Sequence, residues 1–360
     1  MSQTAEVYGL ARLGWGADME QEFEQHEAAG LVPGRVAVQH RGAYDVLAAD
    51  GEVRAGLPGK LLHDAGDTVD LPAVGDWVAL DPPLDGQSTI RAVLQRRTAF
   101  VRTAASDQHR ISEQQVVAAN VDTVFLVTAL ADDYNLRRLE RYLVLAWESG
   151  AQPVVVLTKT DLCDDVDGVV AEVETIALGV PVHAVSNVTG EGVDELRPYF
   201  AGNRTVAALG SSGVGKSTLI NSLSGQEVMA TGSVRRDGRG RHTTTRRELI
   251  AVPGGGFFLD TPGMRELQLA EATGGIEEAF DDVVDLFAQC RFSDCAHDSE
   301  PGCAVREALR DGRLDPARWK SYVKLQRELV ALELKLDRRA KSEARKEWRR
   351  WERSRRRDAW

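Results

Sequence analysis

The fold is decided by residues 208–223, ALGSSGVGKSTLINSL, where a small apolar run enters a glycine-rich turn and a helix-like segment follows. Within it, GSSGVGKS (210–217) matches the phosphate-loop pattern G-x-x-x-x-G-K-[ST] in full. The glycines allow several backbone N–H groups to face an anion, and the following helix directs its positive end toward the same place. Lys216 is predicted to reach the β- and γ-phosphates as a catalytic charge, and Ser217 to bind Mg²⁺. The predicted phosphate-binding residues are Gly210, Ser211, Ser212, Gly213, Val214, Gly215, Lys216, Ser217 and Thr218.

A second phosphate element follows at FFLDTPG (257–263), where an apolar run ends in Asp260. We expect Asp260 to hold Mg²⁺ through water and the Gly263 N–H to bond the γ-phosphate. Between the two elements, the polar segment RRDGRGRHTTTRREL (235–249) is typical of a switch that orders around a γ-phosphate and Mg²⁺. Thr243, Thr244 and Thr245 each offer a hydroxyl to the metal, and Thr244 is our working choice.

The base-reading element is predicted at VVVLTKTDL (154–162), which resembles the guanine motif [NT]-K-x-D. A carboxylate at Asp161 can accept bonds from guanine N1–H and its 2-amino group, a donor pair that adenine lacks. Lys159 would lay its stem along the ring, and Thr158 stands where Asn is commoner. After the next strand, VSNVTGEG (185–192) offers a supporting loop. The predicted base-site residues are Thr158, Lys159, Thr160, Asp161, Ser186 and Asn187.

The order of these motifs indicates a rearranged chain, because the base-reading loops precede the phosphate loop. From about residue 116, Val/Leu-rich runs alternate with helical stretches, which predicts a mainly parallel sheet with ligands at its carboxyl edge. A parallel sheet tolerates the rearrangement if its old termini are joined and new ones opened at the surface. Residues 35–102 instead alternate apolar and polar positions, which favours a small five-stranded β-barrel of the OB type; another barrel or a sandwich would fit this pattern as well.

Cys290, Cys295, His297 and Cys303 form the pattern C-x4-C-x-H-x5-C. Three thiolates and one imidazole suit tetrahedral Zn²⁺ with no open position, which predicts one structural zinc. Residues 276–289 are predicted to form a helix that leads into this cluster, and beyond it a helical pattern covers 315–357. Its end, residues 335–358, carries twelve Lys or Arg against five Asp or Glu, while the rest of the chain holds 32 basic and 50 acidic residues. With interleaved tryptophans, this basic run favours a local contact with RNA.

Together these segments resemble the RsgA group, circularly permuted GTPases that assist maturation of the small ribosomal subunit. The resemblance is carried by AVGDWV, TKTD, GSSGVGKST, GRHTTT, DTPG and CRFSDCAHDSEPGC, and covers nearly the whole chain. It implies an OB-fold, a permuted GTPase domain and a zinc-binding domain, with GTP hydrolysis stimulated by the small subunit. The predicted domains are an N-terminal extension (1–34), the barrel (35–105), the GTPase domain (112–270) and a zinc-binding, basic helical domain (271–360).

Hydrolysis needs an ordered water, and many GTPases place a Gln just after the glycine of D-x-x-G. Here Met264 holds that position, so intrinsic hydrolysis should be slow. His242, beside the switch threonines, is the candidate to orient the water; alternatively, an RNA or protein partner completes the site.

Composition sets the remaining expectations. Hydrophobic content of 43% and charged content of 28% are ordinary for a soluble protein, and neither a signal peptide nor a bilayer-length apolar run stands out. We therefore expect a cytoplasmic protein without membrane contact, acting as a monomer. The motifs predict GTP or GDP bound with Mg²⁺, and the resemblance implies the small subunit and its rRNA as partners. Two alternatives stay open: an ATP-linked P-loop enzyme such as a nucleoside kinase, and a zinc-containing RNA-binding protein that uses GTP as a conformational ligand.

Overall fold

The computed structural model describes residues 9–59, 68–103, 114–131, 133–229, 247–260, 273–332 and 334. Its described residues form two compact units, the first up to residue 260 and the second from residue 273 onward. None of the helices in this described part of the chain combines the length and the apolar character needed to cross a bilayer.

The first unit begins with a closed five-stranded barrel. Its strands are β1 (Val32–Gln39), β2 (Ala43–Ala48), β3 (Gly51–Gly56), β4 (Trp77–Leu80) and β5 (Gln87–Val93). The order β1-β2-β3-β5-β4 closes by pairing β4 with β1, and only the β3–β5 pair is parallel. Alternate side chains, such as Tyr44, Val46 and Ala48 of β2, point into the barrel core. The predicted OB-type barrel is confirmed.

A parallel sheet follows in the same unit, after a two-stranded ribbon. The ribbon pairs β6 (Ala99–Thr103) with β7 (Gln114–Ala119), and the sheet strands are β8 (Thr123–Ala129), β9 (Gln152–Thr158), β10 (Val182–Val185), β11 (Thr205–Leu209), β12 (Glu248–Ala251) and β13 (Phe257–Asp260). The order is β10-β9-β8-β11-β13-β12, parallel throughout except for β12, which runs antiparallel to β13. Strand β8 is buried along its whole length, as expected for a central strand covered on both faces.

The first unit also contains helices α1 (Ala17–Glu27), α2 (Leu136–Ser149), α3 (Val166–Glu174) and α4 (Lys216–Ser224). Helix α2 packs against β8 and β9, and α4 packs against a 3₁₀ helix at Val193–Phe200. Apolar residues of the sheet, of this 3₁₀ helix and of α4 form a core that includes Phe125, Val156 and Leu219.

The barrel and the parallel sheet are one continuous sheet, because β1 pairs with β12 at Val38↔Glu248. The β1–β2 register shifts between Val36 and Val38, and such a bulge bends a strand. This junction joins positions about two hundred residues apart and was not predicted from the sequence.

Arg35 lies completely buried where β1 meets the parallel sheet. Its guanidinium donates to the Leu13 carbonyl at 2.6 Å and to the Thr205 hydroxyl at 2.6 Å, and it lies 5.5 Å from the Trp77 ring centre and 5.4 Å from that of Phe257. Loss of solvent lowers the pKa of Arg35 to about 10, so the group stays charged at neutral pH. The hydrogen bonds and ring faces compensate the buried charge.

The second unit contains α5 (Thr273–Ala279), α6 (Asp281–Val284), α7 (Ala304–Asp311) and α8 (316–332). The helical pattern predicted across 276–289 is interrupted, because Phe280 leaves helical geometry between α5 and α6 and packs beneath the Arg318 guanidinium. Helix α8 begins where the 315–357 pattern predicts. The basic run 335–358 lies outside the described residues.

Candidate nucleotide and metal sites

Five parallel strands end at one edge of the sheet: β8, β9, β10, β11 and β13. The predicted base-reading loops follow β9 and β10, the phosphate loop follows β11, and Asp260 is the last residue of β13. Segments more than one hundred residues apart therefore meet where α/β sheets bind ligands.

The phosphate loop has the backbone shape its glycines predict. Gly215 adopts φ +96°, and a Cβ on Gly210 would lie 2.3 Å from the Val127 carbonyl oxygen. Ser212, Gly213 and Thr218 are exposed, Ser217 is half-buried, and Val214 is buried. Lys216 opens α4, and its ammonium donates to the Gly210 and Ser211 carbonyls at 2.7 and 2.6 Å, which arches it over the loop.

The predicted base-reading residues are connected to one another. Asp161 lies exposed in a 3₁₀ turn at Thr160–Leu162, and its carboxylate accepts the Ser186 hydroxyl at 2.6 Å. Lys159 adopts the left-handed backbone conformation (φ +60°) just before that turn. The fully buried Ser186 also accepts the N–H groups of Val188 and Thr189 at 3.2 Å, so one hydroxyl holds its own loop and orients the carboxylate.

Two contacts join the base-reading loops to the phosphate loop. The fully buried Thr158 donates its hydroxyl to the Val214 carbonyl at 2.6 Å, and the Asn187 amide donates to the Gly215 carbonyl at 3.4 Å. Thr158 therefore lies beneath the phosphate loop and supports it. The Asn187 Oδ1 atom is buried and has no hydrogen-bond partner among the described residues.

Several predicted site residues lie outside the described residues: His242, Thr243, Thr244, Thr245, Gly263 and Met264. Their roles stay predictions.

The predicted metal ligands of the second unit come together. One donor atom from each of Cys290, Cys295, His297 and Cys303 lies within 4.8 Å of all the others, and His297 Nδ1 is 3.6 Å from the sulfurs of Cys290 and Cys303. A tetrahedron with zinc–sulfur bonds of ~2.3 Å has edges of about 3.8 Å, so the four residues fit a closed tetrahedral metal site. Phe287 stacks on the His297 ring at 4.3 Å and fixes its orientation.

Two of the four groups, Cys290 and His297, have pKa values shifted toward the form that binds a metal, whereas Cys295 has a raised pKa. Desolvation raises the pKa of Cys290, but hydrogen bonds from the amides of Ala304 and Val305, together with those from the neighbouring thiols, outweigh it and leave the pKa below its ordinary value. Desolvation, with the neighbouring thiols, raises the pKa of Cys295 to about 11. Desolvation lowers the pKa of His297, which favours the neutral imidazole that coordinates metals. A cation among the thiols would convert them to thiolates.

One contact at the nucleotide edge was not predicted from the sequence. Arg138, in the first turn of α2, donates to the Ser211 hydroxyl of the phosphate loop at 2.9 Å. Its position along the chain could have indicated it, because the loop after β8 must lie at the same sheet edge as the loops that carry the motifs.

Comparison with known proteins agrees with these geometries. The pattern of the RsgA GTPase family matches residues 93–270. The chain is 47% identical over 332 residues to the small ribosomal subunit biogenesis GTPase RsgA of Syntrophotalea carbinolica, covering 90% of this chain and 91% of that protein. It is 46% identical over 353 residues to the protein of the same name in Streptomyces avermitilis, covering 97% and 93%.

Solved structures agree as well. The crystal structure of YjeQ from Thermotoga maritima superposes with a TM-score of 0.63 at 30% identity, covering 83% of this chain and 99% of that one. The structure of YloQ, described as a circularly permuted GTPase, superposes with a TM-score of 0.61 at 24% identity, covering 84% and 96%, a similarity of fold alone. The predicted fold class, an OB barrel with a permuted GTPase sheet and a Cys/His-containing helical part, is confirmed.

Proposed function

The chain belongs to the RsgA GTPase family, and from this premise we propose that it hydrolyses GTP to GDP and phosphate on the small ribosomal subunit, coupling hydrolysis to late maturation of that subunit. One observation carries the proposal. The loop that carries the Asp161 carboxylate and a complete phosphate-loop motif meet at one sheet edge, and Thr158 and Asn187 hydrogen-bond to the phosphate loop.

The base site favours guanine through Asp161. Its carboxylate is exposed to an incoming ligand while the Ser186 hydroxyl fixes its direction. Adenine would leave this acceptor unpaired, which costs more than a matched hydrogen bond gains. The Asn187 side chain, with its buried unpartnered oxygen, lies where the base loop meets the phosphate loop and is proposed to complete the pocket.

The phosphate site supplies charge and orientation. Lys216 is already held over the loop, so its ammonium needs little rearrangement to neutralise charge on the transferred phosphoryl group. Ser217 and Asp260, together with Thr244, are proposed to hold Mg²⁺, which when bound neutralises the β- and γ-oxygens. Because Met264 cannot orient water, His242 or a group from the partner is proposed to do so, and unstimulated hydrolysis is slow.

The second unit is proposed to hold one structural Zn²⁺ and to contact rRNA. The three thiols and His297 fill a tetrahedral shell with protein ligands, which leaves no position for substrate. The basic run 335–358 offers charge for phosphates, and the acidic remainder of the chain favours a confined contact. The proposed setting is the cytoplasm, with the protein acting as a monomer.

The test is GTP turnover measured with purified small and large ribosomal subunits added separately. We expect stimulation by small subunits alone, and its loss in Lys216→Ala, whose folding is checked by circular dichroism. If the protein binds GTP but neither subunit changes its rate of GTP turnover, the proposal is overturned. That result would favour an RNA-binding protein that uses GTP as a conformational ligand. Equal affinity for ATP and GTP would overturn the guanine assignment.

A further inference from the structure

The loop after β8 carries no recognised nucleotide motif, although it reaches the same edge as the four segments that do. Strand β8 lies between β9, which leads to the base-reading loop, and β11, which leads to the phosphate loop. The described residues after β8, 130–131 and 133–135, therefore lie between the two halves of the proposed nucleotide site.

Arg138 is fixed in place by this loop. Asn135 caps α2 by accepting the Arg138 N–H at 3.1 Å, which sets the first turn of the helix. The guanidinium then donates to the Asp133 carbonyl at 2.7 Å, pairs with the Asp133 carboxylate at 2.9 Å, and donates to the Ser211 hydroxyl at 2.9 Å. Three contacts in one forked geometry distinguish Arg138 from a solvated surface arginine.

The contacts of Arg138 continue to the base-reading loop. Thr128, near the end of β8, donates its hydroxyl to the same Asp133 carbonyl at 3.0 Å. Thr158 donates to the Val214 carbonyl at 2.6 Å and makes a longer contact with the Thr128 carbonyl at 3.3 Å. The network thus begins at Ser211 and ends at Val214, and these two residues enclose the exposed middle of the phosphate loop.

We propose that Arg138 is a positioning residue that holds the phosphate loop in its ligand-receiving shape and couples it to the base-reading loop. It acts through Ser211 and Asp133, and it is not proposed to touch the nucleotide. The assignment rests on the proposed nucleotide site. Its physical basis is preorganisation, because a loop that is already ordered loses less conformational freedom when the phosphates bind.

The experiment compares full-length variants by their Kd for fluorescent GDP and for a non-hydrolysable GTP analogue. It also compares their KM for GTP and their kcat for GTP hydrolysis, both measured in the presence of small ribosomal subunits. Arg138→Met should raise both Kd values and the KM about tenfold, the effect of a lost hydrogen bond from a charged donor, with kcat within about threefold. Arg138→Lys keeps the charge but not the fork, and should fall between. Arg91→Met removes an exposed arginine–aspartate pair on the barrel and serves as the matched control, with unchanged affinity.

Ser211→Ala tests the route of the effect. If Arg138 acts through Ser211, the double variant should bind GDP about as weakly as Arg138→Met alone. If the losses of GDP affinity in the two single variants multiply fully in the double variant, the proposal is overturned. It is also overturned if Arg138→Met and Arg138→Lys bind GDP normally, even when their melting temperature falls. Failure of the wild-type chain to bind either nucleotide would overturn the proposed function and this assignment together, whereas normal binding by the variants overturns this assignment alone.

Discussion

Ser186→Ala tests how the base-reading carboxylate is oriented. The hydroxyl of Ser186 is completely buried and donates to Asp161 Oδ1 at 2.6 Å, although Asp161 itself is exposed. Without the hydroxyl, the carboxylate keeps its charge but loses the contact that directs it toward guanine. We expect weaker binding of GDP and GTP with little loss of fold.

The expected loss of GDP affinity follows from the environments of the buried Ser186 hydroxyl and the exposed Asp161 carboxylate. A hydrogen bond to a charged group contributes about 1.5–3 kcal/mol, and the lower figure applies here because water can reach the exposed carboxylate and replace part of the contact. At about 1.4 kcal/mol per tenfold change, the Kd for GDP should rise roughly tenfold. The Ser186–Asp161 bond is present without nucleotide, so the free energy of unfolding should fall by about 1.5 kcal/mol as well. The N–H groups of Val188 and Thr189, on exposed residues, can turn to water and add little to this loss.

The assay is calorimetric titration with GDP and ADP, with denaturant unfolding run in parallel. Thr189→Ala is the matched control: its hydroxyl, in the same loop, accepts only a 3.4 Å contact from the Glu191 N–H. A second titration in an Asp161→Asn background should show a smaller cost of Ser186→Ala, because the charged acceptor is gone. A GDP affinity within twofold of the wild type, or an equal loss in both backgrounds, would refute the reasoning.

Three further changes test the metal site, the phosphate loop and the junction. Cys303→Ser should remove bound metal, as measured by elemental analysis, and full metal content in the variant would contradict this. Metal retention by the wild type should fall as the pH is lowered from about 8 to about 5, because protons compete for the thiolates and the imidazole. Gly210→Ala should abolish GDP binding, because its Cβ would lie 2.3 Å from the Val127 carbonyl oxygen, and normal titration would contradict the geometry. Arg35→Met should lower the free energy of unfolding by about 3 kcal/mol in denaturant titrations, since it leaves buried carbonyls without donors, and a loss under about 1 kcal/mol would count against that role.

Features built from neighbouring residues were predictable. The phosphate loop is one continuous stretch in which each glycine permits a local backbone conformation. The strands are recognisable as runs of apolar residues. The metal site, too, draws all four ligands from fourteen residues, so their spacing alone indicates a tetrahedral cluster. The helix predicted across 276–289 was less accurate, because its break at Phe280 depends on packing with Arg318, which lies almost forty residues away.

The sequence by itself identified the motifs of the nucleotide site, because each motif carries its chemistry within a few residues. The order of the motifs along the chain also indicated the circular permutation. The contacts that join those parts became visible only in the folded chain. Arg138 reaches Ser211 across 73 residues, and Arg35 reaches Thr205 across 170. Such pairs leave no local periodicity, since they arise from the order of strands in the sheet and from the polar groups that burial forces to find partners.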